Sequence, residues 1–159
     1  LRGGFMKGLI KSTLAILPAL FIATHVVAQE ECQIAYITNQ ELDNMIIDRG
    51  LELEDYDKTC ALLKAANATI DIQYAYQITP HQTSASASIR LLANEYLEQD
   101  VAVYSTADNW MTYDAERTSK AQKDVLYDVA MIGIDDIKQD AVDSLNEQRA
   151  KFKAYQVKK

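Results

Sequence analysis

The chain has 159 residues, with 16 Lys plus Arg against 23 Asp plus Glu and a formal charge of −7 at neutral pH. Arg2, Lys7 and Lys11 lie ahead of Ala28, where there is no acid, so residues 29–159 hold 13 basic and 23 acidic side chains and a net charge of −10. A field of that sign excludes retention on nucleic acid or anionic lipid through overall charge and makes a basic protein the better electrostatic partner.

In chain order, "LRGGF" precedes Met6 and is set aside as a vector-derived or misassigned start. Lys7 and Lys11 then lead into "STLAILPALFIATHVVA", an acid-free run ending in the small residue Ala28. A basic start, an apolar middle and a small residue at the end predict a secretory signal peptide cleaved after Ala28. The apolar core from Leu14 to Ala28 is about 15 residues, short of the roughly 20 that cross a bilayer, so no stable membrane anchor is expected after cleavage. The mature protein is expected in the periplasm or secreted, with residues 29–159 as a single helical domain. Glu31 stands directly before Cys32, where lipid attachment would need a small residue.

Cys32 and Cys60 are the only two cysteines. In an exported chain they predict one disulfide. Closing that loop of about 29 residues stabilises by about 3.5 kcal/mol in the chain-entropy estimate. The segment "TNQELDNMIIDRG", Thr38 to Gly50, predicts a short helix capped by Thr38 or Asn39 and ended by Gly50.

After Gly50 only Pro80 and Gly133 punctuate the chain. So few breakers argue for few turns and long helices. They mark out 54–78, 82–106, 108–132 and 134–157, each about 36 Å long if helical. Tyr56, Cys60, Leu63, Asn67, Ile70 and Tyr74 step by four and three, as do Met111, Ala115, Thr118, Ala121, Val125, Val129 and Ile132. The fold class read from this is mostly α, an antiparallel helical bundle with a short N-terminal helix, broken at Gly133 with Asp135 as the next N-cap. The alternative is α+β: residues 69–78 alternate like a strand, and with "SASASIRLL" and "VAVYST" they would make a three-stranded meander at about 69–106. The missing glycine turns weigh against those hairpins.

Catalytic chemistry has little to stand on. His81, beside Pro80, is the one histidine after Ala28, and no Cys-x-x-Cys, His pair or Gly-rich loop is present. No metal, cofactor or enzymatic activity is therefore expected. Nine tyrosines and Trp110 outnumber the three phenylalanines, and such amphipathic rings suit interfaces. Tyr74, Tyr76, Tyr104 and Trp110 are the candidate binding surface. The functional expectation is an exported, non-enzymatic interaction domain of the adaptor or inhibitor type, engaging another envelope protein of basic character and no nucleic acid. The alternative is a small-ligand carrier with a tyrosine-lined cleft.

Overall fold

A computed structural model describes residues 32–157; the expected leader and its cleavage point lie outside them. In chain order the elements are β1 (Tyr36–Ile37), α1 (Gln40–Arg49), α2 (Tyr56–Ala66), β2 (Ala68–Ile78), β3 (Thr83–Ala93), a 3-10 turn (Asn94–Gln99), β4 (Asp108–Asp114), α3 (Ser119–Asp135) and α4 (Gln139–Gln156). The strands form one sheet in the order β1-β2-β3-β4, with β1 parallel to β2 and the other pairs antiparallel. The helical bundle is thereby overturned: most of residues 68–114 are strand. The architecture is α+β. Two strands of the expected meander stand where the alternation put them. The third does not, because residues 101–106 make only the isolated bridge Leu92↔Tyr104 and β3 takes β4 as its partner.

The hairpin between β2 and β3 turns without glycine. Pro80, with φ fixed by its ring, follows Thr79, whose N–H donates to the Gln82 carbonyl at 2.8 Å. The Thr79 hydroxyl oxygen accepts from the N–H groups of His81 and Gln82 at 3.3 and 3.0 Å. α2 stops at Asn67, which takes the left-handed conformation (φ 48°) that a glycine would otherwise supply. The helix expected from Thr38 to Gly50 is α1. Asn39 Oδ1 caps it by accepting from the Leu42 N–H, and Gly50 leaves it at φ 87°.

Alternation along the strands divides the sheet into two faces. One face carries Ile70 and Ile72 of β2 and Ala85, Ala87, Ile89 and Leu91 of β3, all buried against Leu63, Val125, Leu126, Val129, Ile134 and Leu145 of the helices. This is the core. α3 runs unbroken through Gly133, contrary to the expected break, and α4 begins after Lys138. The reason is steric: a Cβ at Gly133 would lie 2.7 Å from Ile89 Cγ1 and 2.8 Å from Trp110 Cδ1, so the glycine lets α3 approach the sheet. Asp135 does not cap α4; its carboxylate accepts the Glu54 N–H at 3.0 and 3.1 Å.

Two ties hold the periphery. Cys32 and Cys60 are disulfide-bonded, with Cα atoms 6.0 Å apart, joining the start of the described chain to α2. Arg149 of α4 is only 13 % exposed; its Nη2 donates to the carbonyls of Ala66 and Asn67 at 2.8 and 3.1 Å, and its Nε lies 2.7 Å from Glu95 Oε1. A cation on the last carbonyls of α2 also complements that helix's dipole. No helix among the described residues is long and apolar enough to cross a membrane.

Candidate functional site

The four aromatic residues singled out from the sequence do not converge. Tyr74 and Tyr76 stack on the core side of β2, with ring centroids 6.0 Å apart. Their hydroxyls reach the first turn of α1: Tyr76 donates to Glu41 at 2.9 Å, and Tyr74 donates to Asn39 and, at 3.4 Å, to Glu41. Burial is the first cause of Tyr74's raised pKa, and the hydrogen bond to Glu41 is the first cause for Tyr76. Trp110 also faces the core, packed on Gly133. Tyr104 lies across the sheet from them, its ring 3.7 Å from the guanidinium carbon of Arg90. Tyr74 and Tyr76 dock a helix, Trp110 fills the α3 crossing, and Tyr104 covers a cation.

Among the described residues the second sheet face is covered only in part. Near β1 it is closed over, since Asp71 is 3 % exposed and paired with Arg90 Nε at 2.7 Å, and the Thr69 hydroxyl donates to Asn94 at 2.7 Å. Toward the hairpin it opens, with rows Gln73–Ser88–Asn109, Ala75–Ser86–Met111 and Gln77–Ser84–Tyr113 across β2, β3 and β4. Ser84 and Ser86 floor a trough of about 250 Å³ between Gln77 and Met111. Met111 and Tyr113 stand 77 % and 71 % exposed.

β4 is also an edge of the sheet formed by the described residues, and the ladder fixes which of its peptide groups point outward. Leu91 faces the β4 side with both its peptide groups: its carbonyl accepts from the Ser105 N–H at 2.8 Å and its N–H donates to Ser105 Oγ at 2.8 Å. Antiparallel alternation then points Ala85 and Ala87 at Thr112 and Trp110, and turns the N–H and C=O groups of Asn109, Met111 and Tyr113 away from β3. Sequence reasoning missed this edge. Its signal in the sequence is the β-favouring set Trp110, Thr112 and Tyr113 between two aspartates.

A cleft of about 570 Å³ opens elsewhere, lined by Glu54, Asp55, Lys58, Thr59, Leu62, Asp135, Ile137, Lys138 and Gln139. No tyrosine lines it, and its carboxylates and two lysines largely offset one another. Among the described residues no group of three or more His, Cys, Asp or Glu is placed to hold a metal ion. The comparisons with known proteins return no matching family model, no matching curated protein and no matching solved structure.

Proposed function

We propose that the chain is an exported, non-enzymatic interaction domain of the adaptor or inhibitor type, engaging a basic partner protein outside the cytoplasm. The observation that carries this reading is the open half of the second sheet face, where Met111 and Tyr113 are held out to solvent on a framework packed from behind. Aromatic and methionine side chains are enriched at the centres of interfaces, and a rigid sheet loses little entropy when a partner docks. The Cys32–Cys60 bond is consistent with an oxidising compartment. A net charge of −10 over residues 29–159 favours association with a basic surface.

Site-specific photocrosslinking tests it. A photoreactive side chain replaces Met111 in one protein and Ile47, 69 % exposed on α1, in a control, each expressed in the organism of origin. The expected result is a discrete adduct with one basic protein from position 111 and none from position 47, on a chain whose intact mass begins at Gln29. Absence of any adduct at 111, or the same adducts at both positions, refutes the interaction reading. A chain retained inside the cell with its leader attached refutes export.

A further inference from the structure

We propose that β4 accepts an extended segment of the partner as a fifth strand, and that this segment carries basic residues six positions apart. The inference rests on the interaction reading above and deepens it.

Three observations meet at this edge. The first is hydrogen-bonding capacity: three N–H and three C=O groups, from Asn109, Met111 and Tyr113, project away from the sheet, and no backbone or side-chain partner for them is found among the described residues. The second is the lack of the devices that normally spoil an edge. Exposed edge strands are usually blunted by lysine, proline, bulges or shortness. β4 pairs with β3 one residue to one residue from Asp108 to Asp114, with no bulge, proline or charge between its ends. At seven residues it spans about 24 Å, the length of an ordinary strand. The third is the chemistry of its two ends, Asp108 and Asp114. In either strand direction, the partner residues opposite these carboxylates are six apart.

The same two aspartates argue against a second copy of this chain as the occupant. Antiparallel self-pairing centred on Met111 sets Asp108 of one copy against Asp114 of the other, twice, and like charges directly opposite destabilise a pair. Two chains of net charge −10 repel as well. A strand with basic ends meets the opposite situation, attraction at both ends and peptide hydrogen bonds between. Its intervening residues on the open face sit next to Met111 and Tyr113 and are expected to be apolar or aromatic. The free part of the β2 edge does not compete, since the side chains there, Tyr74 and Tyr76, are tied to Asn39 and Glu41 of α1.

The test uses the full chain and a display library of random linear peptides as the probe. Met111→Pro is the diagnostic variant. It deletes an N–H that the ladder points outward, so the β3–β4 hydrogen bonds remain, and proline is accepted on a sheet edge. Circular dichroism and the melting temperature check that the variant stays folded; Met111→Leu, which keeps both the N–H and an apolar side chain, is expected to bind more tightly than Met111→Pro, and equal loss in the two would place the effect in the side chain and overturn the strand. The expected result is enrichment of peptides with Lys or Arg six positions apart around alternating apolar residues. Their binding falls about tenfold or more in Met111→Pro, and weakens in the doubly neutralised Asp108→Asn, Asp114→Asn protein and with added salt. In the complex, the amides of Asn109, Met111 and Tyr113 become protected from hydrogen exchange. No enrichment, enrichment of acidic or helix-patterned peptides, or binding indifferent to Met111→Pro overturns the proposal. So does a dimer in sedimentation that Met111→Pro dissolves. A crosslinked partner at position 111 that contacts the sheet through a helix overturns the strand alone and leaves the interaction reading standing.

Discussion

Gly133 carries a constraint that its type alone does not announce. In the last turn of α3 a glycine costs at most about 1 kcal/mol of helix propensity against alanine, yet the added methyl would meet Ile89 and Trp110 inside 3 Å. Overpacking of this kind costs about 1–3 kcal/mol, so the steric term wins. Gly133→Ala is expected to destabilise by about 1 kcal/mol net, read as a lower denaturation midpoint, and to lose less in a Trp110→Ala background. A more stable Gly133→Ala protein would show that α3 moves freely off the sheet. Read from the sequence, Gly133 passed for a helix break because a glycine between two apolar stripes resembles a C-cap. The opposite error arose at Asn67 and Asp100, which adopt left-handed φ values of 48° and 53° without being glycine. The scarcity of glycine and proline therefore said little about the number of turns.

Among the elements, β2 was legible as a strand and as a helix at once. Ile70 and Tyr74 satisfy a four-residue step and a two-residue step together, so the rhythm from Tyr56 ran on through them. Asn67, the one polar member of that rhythm, is where α2 stops. α1 was legible from its caps. α3 was legible from Ala121, Val125 and Val129, which are buried as the stripe required, although Ile132 is 47 % exposed. β4 was lost because seven residues give too short a run for either period to stand out. α1 itself is held to the sheet edge by phenols. Tyr36 donates to Asp43 at 2.9 Å, and burial first, then that bond and the Asp43 charge, push its pKa up to about 12. Because the folded value lies above the unfolded value of about 10, this stabilising term is fully present below pH 10 and is lost as the pH rises toward 12. The denaturation midpoint is expected to fall between pH 10 and 12, more gently in Tyr36→Phe. A flat profile, or an equal slope in the variant, would contradict the assignment.

For the molecule as a whole, the disulfide followed from counting cysteines, while the topology did not follow from any local signal. Strand order and the uncovered face are set by pairings between residues far apart in the chain, Asp71 with Arg90 and Ser86 with Met111 among them. Neither a propensity nor a period carries that information. The four aromatic residues chosen from the sequence were scattered for the same reason: membership of a face depends on register, and register appears only once the strands are paired. Reduction of Cys32–Cys60 is expected to lower the melting temperature by about 10 °C, from about 3.5 kcal/mol spread over the unfolding entropy of a domain this size. An unchanged melting temperature under reductant would show that the loop gains no stability from closure.

Among the described strands β1 alone runs parallel to its neighbour and is the shortest, joined to β2 through Tyr36↔Ile70 and Ile37↔Asp71. Along the chain those partners are 34 residues apart, but across the Cys32–Cys60 bond the path is four residues to one sulfur and ten from the other. A distant pairing becomes a nearby one, and closure entropy grows with the logarithm of the path. Two residues of strand have little of their own to oppose that cost. The Ile70 amide donates to the Ala35 carbonyl at 3.0 Å, and its hydrogen exchange is expected to speed up on reduction by more than that of the amides linking β2 to β3; equal acceleration would contradict this account. The disulfide thus shortens the path that β1 must close to reach β2, from 34 residues along the chain to fourteen through the bond.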